Sequence, residues 1–376
     1  MNCRITTDFV CKNIAVIAVL YPNRVWLFFI ERILISMKQT YKNGLTALWL
    51  IILIALPIIV SVIALCIGTF EITPGDILSS LFSKITGEGS LNPRIEYILW
   101  DNRLPRILLA LLVGAGLSIS GCAFQSLFAN PLATPDTLGV ASGASFGAAL
   151  ALLFGFSFLG IQLFSMAMGL LAVVLTVISG TGRSKHSFSG VVLGGIMIGS
   201  LFSALIALVK YTADTESQLP AIEYWLMGSF NSASYESLAV GAIPIIFGIT
   251  VLLLLRWRMN LVVLSDDEAI SSGVNIKILR AVIIVCATMI TASCVSMSGQ
   301  VGWIGLLVPH MCRMKFGNNH TSILPASALF GAGFMVVVDT LARTISSAGL
   351  PLSVLTAIIG APFFILLMRK TNGLGN

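Results

Sequence analysis

The chain has 376 residues, of which 57% are hydrophobic and only 10% charged, and its mean hydropathy is +0.97. A water-soluble domain needs more charge than this to cover its surface, so an ordinary soluble enzyme is excluded and a bilayer is the expected solvent. The net charge of +6 forms no basic stripe, because the lysines and arginines punctuate apolar runs; no nucleic-acid partner is expected.

Residues 1–36 fit the rest poorly. Ile14–Ile35 is apolar but carries Pro22, Arg24, Glu31 and Arg32, which are costly in a bilayer. It lacks the small-residue cleavage site of a signal peptide. Met37-Lys38-Gln39, followed by Lys42 and a clean apolar stretch, looks like a natural start. The expectation is an N-terminal extension over 1–36 and a membrane domain over 37–376, with an amphipathic interfacial helix as the other reading of the extension.

A spanning helix needs about 20 mostly apolar residues. Such runs occur at 45–67, 107–128, 138–156, 160–180, 190–209, 237–255, 281–297, 323–341 and 352–368, with a shorter one at 303–312. The fold class is therefore an all-α polytopic membrane protein of about ten helices. Basic residues collect on the cytoplasmic side of membrane proteins. If the 45–67 run starts inside, the cytoplasmic ends hold Lys38, Lys42, Arg183, Lys185, Arg256, Arg258, Lys277, Arg280, Arg313, Lys315, Arg369 and Lys370, twelve in all. The outer ends hold six: Lys84, Arg94, Arg103, Arg106, Lys210 and Arg343. Both termini of the domain are thus expected in the cytoplasm. Ser118-Ile119-Ser120-Gly121 returns as Ser296-Met297-Ser298-Gly299, and the same offset of 178 carries Pro131 to Pro309 and Gly139 to Gly317. A duplicated unit of five helices would be inverted relative to its partner, which is a transporter architecture.

Three stretches hold the motifs. The first runs Arg103-Leu104-Pro105-Arg106, Gly114, Gly116, Ser118, Ser120-Gly121, Gln125, then Asn130-Pro131-Leu132-Ala133-Thr134-Pro135, Gly139 and Gly143-Ala144. Small residues let helices approach closely in lipid. Two prolines and an asparagine break the helix at 130–135, which survives at membrane depth only where protein or a water-filled cavity satisfies it. The second stretch includes Ser298-Gly299, Gly302, Gly305, Pro309-His310, Arg313, Gly317 and His320, and reads as a half-length helix ending in a basic cluster. His310 is expected to cap or hydrogen-bond that broken helix. The third holds Asp339 and Arg343, spaced to pair on one helix face, then Leu350-Pro351 and Gly360-Ala361-Pro362.

The seven cysteines form no CxxC pair and the three histidines are scattered, so no metal site and no cofactor are expected. No G-x-x-x-x-G-K-[ST] occurs. Any ATP hydrolysis must therefore belong to a separate subunit, so this chain is expected not to be an enzyme. An ion-driven carrier would need an ionisable group at bilayer depth, and only Asp136 and Asp339 offer one.

Taken together, these stretches and the Trp225–Phe230 block resemble the FecCD family, the permeases of importers for ferric siderophores, haem and cobalamin, over roughly residues 40–370. Three positions depart from its usual pattern: Gly349 in place of an acid, Ser353 in place of a glycine and Ser272 in place of a leucine. The resemblance implies ten helices per subunit and a central path between two copies in the inner membrane. It also implies two ATP-binding subunits and a periplasmic or lipid-anchored substrate-binding protein. On this likeness Arg103, Arg106 and Arg343 would dock the binding protein. The loop holding Ser265, Asp266, Asp267, Glu268, Ala269, Ile270, Gly273 and Val274 would couple to the ATPase, its acids suiting a helix start. Ser187, Phe188 and Ser189 would lie at the cytoplasmic gate. A ferric siderophore is the expected cargo, with haem, cobalamin or molybdate as alternatives.

Overall fold

In the computed structural model the described residues are 45–68, 70–86, 92–180, 188–263, 273–346 and 349–370, with only the backbone described at 188–189 and 367–370. The expected 1–36 extension and the Met37 start lie outside them. Every regular element among the described residues is a helix. Helix α1 (Ala47–Cys66) begins at Thr46, whose hydroxyl accepts the Trp49 N–H. Helix α2 (Pro74–Thr86) opens on a reciprocal cap. The Asp76 carboxylate accepts the Thr73 N–H at 2.9 Å, and the Thr73 hydroxyl accepts the Asp76 N–H at 3.2 Å. A single turn at Pro93–Glu96 and a π-helical stretch at Tyr97–Arg103 lead without a break into α3 (Leu104–Leu127).

A 3-10 turn (Pro135–Leu138) precedes α4 (Val140–Leu153) and α5 (Phe158–Gly180). Then come α6 (Phe188–Thr212), α7 (Gln218–Leu226) and α8 (Tyr235–Leu255). After a second 3-10 turn (Arg258–Leu261) the chain continues as α9 (Ile276–Ser298), α10 (Ile304–Phe316), α11 (His320–Ile345) and α12 (Leu352–Lys370).

Seven helices among the described residues are long and apolar enough to cross a bilayer: α1, the 93–127 run ending in α3, α5, α6, α8, α9 and α11. The other apolar runs form shorter helices, with 14 residues in α4, 13 in α10 and 19 in α12. At about 1.5 Å per residue, α10 reaches roughly 20 Å, well short of a hydrocarbon core of about 30 Å. The 303–312 run is therefore the half-length helix its length implies. The 138–156 run also shrinks, because a left-handed Gly139 (φ 71°) starts the helix and Phe154 caps its far end.

Burial separates centre from rim. The apolar window of the α3 run is 78% buried, against 17% for α1 and for α6, so α3 is the central post and the latter two face outward. Helices α9, α10 and α11 pack directly on α3. Two crossings explain its small residues. A Cβ on Gly121 would fall on the carbonyl oxygen of Gly305 in α10, and one on Gly114 would fall on that of Gly331 in α11. Backbones this close gain dispersion contacts that lipid tails cannot match.

Of the residues matched at offset 178, the serines lie within helices in both halves, but two of the other pairs occupy unlike backbone. Gly121 lies inside α3, whereas Gly299 (φ 69°) ends α9; Pro131 lies in a turn, whereas Pro309 lies within α10.

Candidate functional site

Polar side chains gather at the two ends of the α3–α11 pair. At the arginine end, Asp339 is 1% exposed. It accepts from Arg106 Nε at 2.8 and 3.1 Å, while Arg106 Nη2 lies 2.8 Å from the same carboxylate. Arg106 Nη1 also donates to Asn231 Oδ1 at 2.6 Å. The sequence spacing suggested Asp339 and Arg343 as partners. Arg343 Nε does stand 4.0 Å from the carboxylate, within ion-pair range but too far for a hydrogen bond, and the closer partner, Arg106, comes from α3.

Arg103 and Arg343 both turn inward to α1. The last carbonyls of a helix have no partner within it and carry the negative end of its dipole. Arg103 donates to the carbonyls of Leu65 and Phe70, and Arg343 to that of Ala64. These two guanidiniums therefore cap the C-terminus of α1. That arrangement follows from chain geometry distant in sequence, and no local spacing announced it.

The broken helix between α3 and α4 is satisfied by protein. Asn130 Oδ1 accepts the Leu132 N–H at 2.9 Å, and the Ala133 N–H reaches the Asn130 carbonyl at 3.1 Å. Thr134 and Thr137 form a capping box around Pro135, and Thr176 of α5 donates to the Leu138 carbonyl at 3.0 Å. Asp136 lies in that 3-10 turn, with its carboxylate close to the backbone of Ala141 and Ser142 at the start of α4. Pro309 cannot donate to the Gly305 carbonyl one turn earlier, and Gln125 of α3 takes up this oxygen through Nε2 at 3.3 Å. Trp303, at the left-handed φ of 68°, starts α10 against Gly360 of α12.

At the histidine end, His320 opens α11. Its backbone N–H donates to Asn260 Oδ1 at 2.9 Å, and Nδ1 lies 2.8 Å from the same oxygen. Nε2 is in hydrogen-bond contact with Ser126 Oγ near the end of α3. From the local sequence, His310 is the expected hydrogen-bonding histidine. In the structure His310 packs edge-on against Phe364 at 5.9 Å, and His320 is the buried, hydrogen-bonded histidine. An apolar ring partner on α12 could not be read from the local sequence of α10.

Of the expected coupling loop, Ser265, Asp266, Asp267, Glu268, Ala269 and Ile270 lie outside the described residues, as does Ser187 of the gate. The gate's Phe188 and Ser189 are seen only as the first backbone positions of α6. Gly273, at φ 74°, and Val274 return the chain to α9, whose Asn275 cap accepts the Ile278 N–H at 3.2 Å. Two departures from the family pattern also have a place. Ser353 Oγ donates to the Met227 carbonyl at 2.7 Å, and Gly349 turns at φ 76° beside Asn231. Among the described residues, no group of three or more His, Cys, Asp or Glu could hold a metal ion. Cys122, Cys286, Cys294 and Cys312 are buried free thiols, and Cys66 is half-buried.

A bundle of spanning and half-length helices, broken between α3 and α4 and polar at both ends of the α3–α11 pair, defines a multi-pass membrane transport subunit. The FecCD transport family model matches residues 53–370, and the chain belongs to that family. It is 41% identical over 313 residues to the molybdate import system permease protein MolB of Haemophilus influenzae, covering 83% of this chain and 93% of that one. It is 39% identical over 279 residues to a probable iron chelatin transport system permease protein of Helicobacter pylori, covering 74% and 84%. A solved metal-chelate type ABC transporter in an inward-facing conformation superposes with a TM-score of 0.78 at 39% identity, covering 86% of this chain and 100% of that one. The chain is accordingly a permease subunit of an ATP-binding-cassette importer. It works with ATP-binding subunits and a substrate-binding protein and is not itself the ATPase.

Proposed function

We propose that two copies of this chain form the path of an importer in the inner membrane, with both termini of the membrane domain in the cytoplasm. The distribution of basic residues, twelve against six, supports the orientation. The binding protein docks at the arginine end. There, three guanidiniums (Arg103, Arg106 and Arg343) face one carboxylate (Asp339) and the carbonyl end of α1, which leaves the cluster net positive. Such a field steers acidic lobes toward that end. Arg106, beside exposed Asn231, makes the direct contact, while Arg103 and Arg343 act through the field. Two ATP-binding subunits engage the histidine end through Ser265–Ile270, Gly273 and Val274, and the Ser187–Ser189 segment lies at the gate.

The cargo is a metal chelate, in the first instance a ferric siderophore. The observation that carries this reading is the superposition on a metal-chelate transporter along essentially all of that chain. Molybdate is the second reading, favoured by the 41% identity to a molybdate permease. The test is uptake into proteoliposomes holding this chain, its co-purified ATPase and its binding protein, offered radiolabelled ferric siderophore or molybdate. ATP-dependent, vanadate-sensitive chelate uptake is expected. Molybdate uptake alone would establish the second reading, and uptake driven by an ion gradient without ATP would overturn both.

A further inference from the structure

The contacts around His320 extend in two directions. Asn260 lies in the 3-10 turn that follows α8. Its Oδ1 accepts the His320 N–H and faces Nδ1, and its Nδ2 donates to Asn319 Oδ1 at 3.1 Å. Asn260 Oδ1 can only accept, so a neutral ring carries its proton on Nδ1, and Nε2 meets the Ser126 hydroxyl, which also donates to the Cys122 carbonyl at 2.8 Å. Asn319 in turn caps α11, accepting the Thr321 N–H at 3.0 Å. One asparagine side chain thus holds the first turn of α11 and, through the histidine ring, the last turn of α3.

Helices α3 and α11 are then tied along their whole length. Ser126–His320 joins them at one end, Gly114 meets Gly331 backbone-to-backbone midway, and Arg106–Asp339 joins them at the other. Helix α1 is fastened to the same pair. The Leu45 N–H donates to Ser322 Oγ at 3.2 Å near one end of α1, and Arg343 and Arg103 hold the carbonyls at the other. Tightly packed elements with polar joints move as bodies and do not deform gradually.

We infer that Asn260 and His320 form a joint through which displacement of the α8–α9 connection turns the α3–α11 pair and so shifts the arginine end. This rests on the importer reading, in which that connection meets the ATPase. Asn260 and His320 are positioning residues: neither touches cargo or nucleotide.

Cys66, half-buried where Arg103 and Arg343 grip α1, reports the arginine end, because the other described cysteines are buried and Cys3 and Cys11 can be changed to serine. The experiment measures maleimide labelling of Cys66 in the complex with its co-purified ATPase, with and without ATP and vanadate. The expected result is a nucleotide effect of about fivefold or more on the labelling rate in the unmodified joint. That effect should vanish in Asn260→Ala, weaken in Ser126→Ala and persist in Asn260→Asp, which keeps the acceptor oxygen. Co-purification of the ATPase with each variant establishes that folding and assembly survive. A nucleotide effect that persists in Asn260→Ala, or its absence from the unmodified joint, overturns the inference. A complex that hydrolyses no ATP at all overturns the importer reading instead.

Discussion

The Asp339→Asn variant tests the arginine end most directly. Asp339 is 1% exposed and receives three close guanidinium contacts from Arg106, so its charge is compensated where little water can help. Asparagine keeps the shape but leaves Arg106 and its neighbour Arg343 without a carboxylate. Removing one partner of a buried pair costs about 3–5 kcal/mol. At roughly 2 °C per kcal/mol for a chain of this size, the melting temperature in detergent should fall by about 6–10 °C. Cys66 should label faster, because the arginines that cap α1 lose the charge that holds them in place. The double variant Arg106→Met with Asp339→Leu replaces the close pair by apolar groups of similar volume and should recover stability to within about 2 kcal/mol. A melting temperature for Asp339→Asn within about 2 °C of the parent would refute this account of the cluster.

Other expectations follow from single contacts. Gly121→Leu places a side chain on the Gly305 carbonyl, and should lower the melting temperature through about 1–3 kcal/mol of overpacking and abolish transport. Gln125→Leu strands the carbonyl freed by Pro309 and should cost about 1–3 kcal/mol, read by thermal unfolding; Gln125→Leu with Pro309→Ala should regain part of it, because the helix then satisfies that oxygen itself. Hydrogen bonds from Thr73 hold the Asp76 carboxyl below its ordinary 3.8. A depressed folded value means that the cap contributes fully at neutral pH and is lost as pH falls through that lowered value. Thr73→Val should return the Asp76 titration toward the ordinary range, followed by carboxyl-carbon NMR.

Much of the bundle could be read along the chain because hydropathy is a local property. The apolar runs became helices where they were expected, and the Asn130–Gly139 break stands where its prolines and glycine put it. Shortening at α4 and α10 follows from Gly139 at the start of one and a span of only 13 residues in the other. The site was legible in its residue types but not in its partners. His310 and His320 are equally polar letters in the sequence, and only packing put one against Phe364 and the other between Ser126 and Asn260.

What the sequence by itself determined was the solvent, the helices, the family and the residues at which helices break or cross. Those follow from side-chain volume, hydropathy and missing N–H groups, each fixed at one position. Tertiary structure decided which charges meet. Asp339 looked local to Arg343, four residues on, yet its close partner is Arg106, 233 residues away. Arg103 and Arg343 looked like outward docking groups, and both turn in to the open carbonyls of α1. The physical reason is shared by both cases. In a bilayer an unpaired charge or a bare helix end is costly, so each is matched to whatever partner the folded bundle brings within reach.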